Sequence, residues 1–264
     1  AFLSLARLKS YDQYTFFHSV NVSILSLALG IFLEYQREEL QMLGAGGLLH
    51  DIGKTRVPDN ILNKPGKLTD IEFSIIKKHV EYGQQILANT ENIPKNSLTM
   101  LLEHHERFDG SGYPQRLKGK DISDPGGIAG IADVFDALTT ERVYKKAMLP
   151  QDALREMYKI EKTFIPSLLE RFIQCIGIYP VGSLVELNTG EVGLVIENDP
   201  SDLLRPKVKL IMDRKGYRVP QPTVADLKEK NLETNKYFRE IKGLVNPKTV
   251  GLDPNIFIES LTSN

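Results

Sequence analysis

From about Leu3 to Gly177, apolar residues recur at helical spacing. In the stretch that follows His18, Val22, Leu25, Leu29 and Phe32 fall on one stripe. The pattern predicts a second helix from about Arg37 into His50, with Leu40, Leu43, Gly47 and Leu48 facing inward. Gly44, Gly46 and Gly47 sit inside it, each costing about 1 kcal/mol against alanine in a helix. Close approach of another helix is a physical reason to carry them. Thr69 and Glu72 have capping-box spacing and open a third helix through Ile75, Ile76, His79, Val80, Gly83, Ile86 and Leu87. Before it, Pro58 and Pro65-Gly66 mark turns. A fourth helix is predicted over 98–105, a glycine-rich loop over 108–127, a fifth helix over 128–138 and two more within 150–176.

The texture changes after Tyr179-Pro180. Residues 181–198 alternate around Asn188-Thr189-Gly190, a hairpin signal, and 207–219 repeat it around Arg214-Lys215-Gly216. From about Lys228 the chain is polar and reads as loop and short helix. The expected fold is therefore mainly α. A helical bundle over 1–178 precedes a small β-rich extension over 179–264.

Composition narrows the partners. The 264 residues hold 33 Lys+Arg and 34 Asp+Glu, so no basic excess invites a nucleic-acid polymer or an anionic membrane. The longest apolar stretch, 22–33, is interrupted by serines and falls short of the roughly 20 residues a bilayer span needs, so no membrane span is expected. A single cysteine, Cys175, excludes an intrachain disulfide and fits a reducing, cytoplasmic setting. Its neighbours Phe172, Ile173 and Ile176 make it a core thiol by sequence. The first ten residues lack a signal-peptide layout and the chain lacks an initiator methionine, which leaves room for an upstream regulatory domain. A homodimer is equally open.

The candidate chemistry lies in the histidines: His18, His50, His79, His104 and His105. A lone histidine on an apolar helix face is ordinarily a satisfied core residue. Here several point inward from different helices, and a buried polar group without a partner costs about 1–3 kcal/mol. A metal cluster satisfies them together. His50-Asp51 and His104-His105 are adjacent, and helix neighbours diverge by about 100°. Such pairs can serve two ions about 3.5–4 Å apart, with Asp51 as a bridge and Asp133 as a further carboxylate. Imidazole and carboxylate without thiolate suit Fe, Mn, Zn or Ni rather than Mg or Ca.

The segments His50-Asp51-Ile52-Gly53-Lys54 and His104-His105-Glu106-Arg107-Phe108-Asp109-Gly110-Ser111-Gly112-Tyr113-Pro114 together resemble the HD-GYP domain of the HD phosphohydrolase superfamily. The resemblance runs from about Tyr11 to Ala153. It includes Asp12-x-Tyr14-Thr15-x-x-His18-Ser19, Lys64-Pro65-Gly66-x-Leu68-Thr69 and the run Ile131 to Thr139. It implies an all-α bundle around a central metal site and hydrolysis of the bacterial messenger cyclic di-GMP to linear pGpG or GMP. It implies metal ligation by His18, His50, Asp51, His79, His104, His105 and Asp133. Lys54 would lie beside the scissile phosphate, and Gly112, Tyr113, Asp136, Arg142 and Lys145 would contribute to the substrate cleft. Some members carry an acidic residue four positions before the first histidine, linked to a third metal. This chain has Tyr14 there, so two metals, Fe or Mn before Zn or Ni, are expected. Where the family often reads Arg-Pro-Tyr-Arg/Lys, this chain reads Arg142-Val143-Tyr144-Lys145, which keeps both cations.

The expected mechanism is attack by a metal-bridging hydroxide, with Asp51 and Lys54 as catalytic residues and Lys54 and Arg142 offsetting phosphoryl charge. Two alternatives stay open: a sensor that binds a cyclic dinucleotide without cutting it, and a phosphodiesterase that prefers a hybrid cyclic GMP-AMP.

Overall fold

The computed structural model describes residues 13–251 apart from 89, 91–92, 95–96 and 141–146. The chain forms two compact units, Ala1–Phe172 and Ile173–Asn264.

The first unit is helical. Its elements are α1 (Gln13–Phe32), α2 (Arg37–Leu49), a 3-10 turn (Ile52–Arg56), α3 (Asp59–Leu62), α4 (Asp70–Lys77), α5 (His79–Ala88), α6 (Ser97–Glu103), α7 (Asp124–Thr139), α8 (Pro150–Lys159) and the start of α9 (Pro166–Ile176). Helix α1 packs on α2 and α7, α6 packs on the same two helices, and α5 lies on α6 and the 3-10 turn. Val22, Leu29, Leu43, Ile52, Val80, Met100, Leu101, Ile128 and Ile131 are buried between them. Each such large side chain contributes about 1.5–3 kcal/mol on leaving water. Gly46 and Gly47 sit at close approaches, as expected: a Cβ on Gly47 would sit 2.6 Å from the Cα of Ser23 on α1 and one on Gly46 3.0 Å from the Cβ of Met100 on α6, whereas at Gly44 it would meet only the Leu27 side chain, at 3.4 Å.

By length and composition α1 is apolar enough to cross a membrane, which the interrupted stretch 22–33 did not predict. The reason is a second apolar stripe. Phe17, Ile24 and Ile31 are exposed along one face, while Val22, Leu29 and the small polar Ser19, Ser23 and Ser26 are buried on the other. The buried face, which carries His18, is the one the bundle uses.

Several boundaries differ from the sequence pattern. The single third helix is two, α4 and α5, divided at Lys78, whose N–H bonds back to the carbonyls of Ile75 and Ile76. The capping box of Thr69 and Glu72 forms. The fourth helix stops at Glu103, so His104 and His105 occupy the turn beyond it. The fifth helix begins at Asp124 because Ser123 caps it by accepting the N–H of Gly126; Gly126 and Gly127 belong to its first turn rather than to a loop.

The second unit holds an antiparallel sheet in the order β4-β3-β2-β1-β5. Its strands are β1 (Leu184–Leu187), β2 (Val192–Glu197), β3 (Lys207–Met212), β4 (Arg218–Asp226) and β5 (Ile241–Leu244). Both predicted hairpins are present, and Gly190 and Gly216 take left-handed φ values of 86° and 81° in their turns. The alternating side chains feed two apolar clusters, one around Val185, Leu187, Val195 and Val208 and one around Leu184, Leu194 and Ile211. Strand β5 falls where loop and short helix were expected. It is four residues long and finds its partner β1 more than fifty residues back, so no local turn announces it. Cys175 is half-buried rather than a core residue, and burial pushes its thiol pKa up.

Candidate metal centre

Each candidate ligand arrives on a different part of the bundle. His18 projects from α1, His50 caps the end of α2 and Asp51 follows it. His79 opens α5, His104 and His105 follow α6, and Asp133 and Asp136 sit on α7. Gly53 makes the convergence sterically feasible: a Cβ there would lie 1.8 Å from the carbonyl oxygen of His79. Only a glycine lets the turn carrying Asp51 press against the first residue of α5.

The histidines are oriented by their outer ring nitrogens. His50 Nδ1 donates to Gly47 O at 2.7 Å, His79 Nδ1 to Ile76 O at 2.8 Å and His104 Nδ1 to Leu101 O at 2.9 Å. Each carbonyl is three residues earlier, at a helix end where it lacks a full helical partner set. A carbonyl can only accept, so the proton sits on Nδ1 and a neutral ring has a bare lone pair on Nε2. Burial lowers the pKa of His79 and drives that of His104 well below the usual histidine range, the latter helped by His50 and His79. Both rings are therefore neutral near pH 7. Yet His79 Nε2 and His104 Nε2 lie 3.3 Å apart, lone pair facing lone pair. His50 Nε2 and Asp51 Oδ1 are buried without a hydrogen-bond partner among the described residues. These are the orphaned acceptors that a cation satisfies.

Asp51 divides its oxygens between two histidine groups. Oδ1 lies 3.3 Å from His79 Nε2 and 3.8 Å from His104 Nε2. Oδ2 lies 3.3 Å from His50 Nε2, 3.7 Å from His18 Nε2 and 2.5 Å from Lys54 Nζ. Two donor groups result, Asp51 with His79, His104 and His105, and Asp51 with His18 and His50. Asp133 also spans them, with Oδ1 3.0 Å from His18 Nε2 and Oδ2 3.9 Å from His105 Nδ1. Burial opposes the charged forms of both aspartates. The Lys54 ammonium leads the groups that outweigh it at Asp51, and the hydrogen bond from His18 outweighs it at Asp133, so both stay well below the usual carboxylate range. Burial also keeps His105 neutral, with His104 adding to the effect. The buried cluster is consistent with a divalent metal site.

His18 differs from the others. Burial pushes its pKa down, but hydrogen bonds to Asp133 and Asp136 overcome this and raise it to about 9. Asp136 Oδ2 accepts from His18 Nδ1 at 2.6 Å, while Oδ1 accepts from Asn21 and Thr140, each at 2.8 Å. Asp136 was expected in the substrate cleft. It is instead buried behind His18 with both oxygens occupied, where it orients that ring.

Gly112 and Tyr113 border a cleft of about 580 Å³. A Cβ on Gly112 would lie 2.5 Å from Glu106 Cα, so the loop doubles back against its own start. The Tyr113 ring stacks on His105 with centroids 4.5 Å apart. Burial, with Asp51 adding to it, raises the pKa of its hydroxyl. Arg142 and Lys145 lie outside the described residues.

Two glutamates that no sequence pattern singles out hold this loop. Glu103 accepts from Ser123 N and Oγ, tying the end of α6 to the cap of α7. Buried Glu106 accepts from Gln115 N at 2.7 Å and Leu117 N at 3.0 Å. Adjacency to His104-His105 was the only local signal for either.

A helical domain whose buried centre is a shared histidine–aspartate cluster is the class this geometry defines. Comparison places it more closely. Residues 6–166 match the HD domain family model, and the chain belongs to that family. Residues 184–238 match the model of a KOW domain associated with HD domains. The "Cyclic di-GMP phosphodiesterase PA4108" of Pseudomonas aeruginosa is 43% identical over 225 residues, 85% of this chain and 54% of that protein. The "3'3'-cGAMP-specific phosphodiesterase 2" of Vibrio cholerae is 43% identical over 138 residues, 52% of this chain and 26% of that protein. The "Cyclic di-GMP phosphodiesterase" of Thermotoga maritima is 43% identical over 128 residues, 48% of this chain and 35% of that protein. The chain thus spans about half the length, or less, of these curated relatives.

Proposed function

We propose that this chain hydrolyses a cyclic dinucleotide, cyclic di-GMP, at a two-metal centre. The observation that carries the reading is the 3.3 Å approach of two bare, buried imidazole nitrogens beside an Asp51 whose oxygens face different histidine groups. The relatives' names supply the substrate class. The ligands would be His79, His104, His105 and Asp51 on one side, and His18, His50 and Asp51 on the other, with Asp133 serving both. Bound there, Fe, Mn, Zn or Ni would supply Lewis acidity to activate water and neutralise phosphoryl charge.

The chain's own groups do the rest. Asp136 holds His18 in the orientation that aims Nε2 inward. Lys54 lies against Asp51, where its ammonium can offset charge on the scissile phosphate and protonate the leaving 3′-oxygen. Tyr113 covers His105 and offers an aromatic face at the cleft. We place this activity in the cytoplasm, a reducing setting that suits a chain with one cysteine.

The test is anaerobic reconstitution with Fe, Mn or Zn, incubation with cyclic di-GMP and chromatography for linear pGpG and GMP. Tight binding without product under all three metals would make the protein a sensor. A second reading has one specific support, the 43% identity to a relative named for 3′3′-cGAMP. Paired kcat/KM values on cyclic di-GMP and 3′3′-cGAMP decide between them.

A further inference from the structure

The cleft beside Tyr113 is lined by more cationic than anionic side chains. Its volume of about 580 Å³ lies in the range small-molecule ligands occupy. Lys77, Lys78 and Arg116 line it against one carboxylate, Glu81. Lys77 Nζ stands 5.0 Å from the Tyr113 ring centroid and 4.6 Å from that of Phe73.

Arg116 is the unusual member. Its backbone takes φ of 57°, the left-handed region that glycine adopts freely and that costs energy for any residue with a Cβ. The carboxylate of buried Glu106 grips the peptide N–H on either side of it, at Gln115 and at Leu117. The two bonds impose the left-handed turn on the residue between them. Among the described residues, the Arg116 guanidinium makes no hydrogen bond or ion pair. A glycine would serve the turn better, and only the side chain distinguishes the arginine.

We propose that Arg116, clamped by Glu106, forms with Lys77 an outer anion subsite for the second phosphate of the dinucleotide, the one not being cut. This rests on the cyclic-dinucleotide reading above. Glu106 is a positioning residue in this scheme, and Arg116 makes the contact.

The test compares Arg116→Gly and Lys77→Met with wild type on two substrates, cyclic di-GMP and bis(p-nitrophenyl) phosphate, which has one phosphate. Each variant should raise KM for cyclic di-GMP about ten-fold, the size of one charge-assisted contact, with kcat nearly unchanged. Turnover of the small diester should not change. Arg116→Gly should also hold or raise the thermal midpoint, because the left-handed turn is relieved. An unchanged KM for cyclic di-GMP overturns the subsite, and so does an equal loss on both substrates, which makes Arg116 a prop for the loop. Wild type that cuts the small diester but not cyclic di-GMP removes the substrate assignment, and the subsite's occupant with it.

Discussion

The two units of this chain differ in how many polar residues they bury. In the C-terminal sheet the charges sit at or near the surface with partners: Glu191 with Arg239, Glu197 with Lys207, Asp199 with Lys228. The interior between them is apolar, two clusters of valine, leucine and isoleucine. In the helical unit the interior contains His18, His50, Asp51, His79 and His104, almost wholly out of water. Some of their atoms have no partner among the described residues. Such groups cost about 1–3 kcal/mol each when left unmade. A fold carries that load where something else completes the set, and this cluster is consistent with a divalent metal ion in that role.

The comparison breaks most sharply at Asp51. Asp51→Ala should remove the group both donor sets share, lowering metal content and cutting turnover by more than about a hundred-fold. The same truncation of Glu191 in the sheet should leave both unchanged. Metal analysis alongside product chromatography checks the pair, and normal metal content in the Asp51 variant would remove its bridging role.

Gly53→Ala should come next. Its Cβ would overlap the His79 carbonyl, and the overpacking should cost at least about 1–3 kcal/mol in denaturant unfolding as well as metal. Leu210→Ala in the sheet should cost about 2–5 kcal/mol on the unfolding of its own unit yet leave kcat alone. Loss of turnover in that variant would tie the two units together functionally.

Asp136→Asn should keep the fold while lowering metal affinity about 10–100-fold, because the amide no longer enforces a proton on His18 Nδ1. Competition with a chelator reads this directly.

The smallest effect is in pH. In the metal-free protein His18 is raised from 6.5 to about 9, so its ion pairing with Asp133 and Asp136 stabilises fully below pH 6.5 and is lost as pH rises through 9. Metal needs the bare Nε2, so binding near pH 7.5 should release a proton from His18. Calorimetry in buffers of different ionisation enthalpy measures it. Heats independent of buffer would show that His18 is already neutral.

Much of the centre was legible because its signals are local. Residue type and spacing exposed the five histidines, the His50-Asp51 pair and the Gly112-Tyr113-Pro114 loop. Helical stripes and paired turn signals exposed the two kinds of structure. Asp136 was misplaced because its role depends on His18, 118 residues away in sequence. Strand β5 was missed for the same reason, since its evidence is a partner and not a pattern.

The sequence alone thus determined the mainly helical class with its β-rich extension and the set of donor atoms available. Periodicity and side-chain chemistry need only neighbours within a few residues. Tertiary structure decided how those atoms are shared. It divided Asp51 between two groups, put Asp136 behind a histidine and bent Arg116 toward the cleft. The first two are distances between segments far apart in the chain, and they exist only once helices pack closely enough for Gly47 and Gly53 to matter.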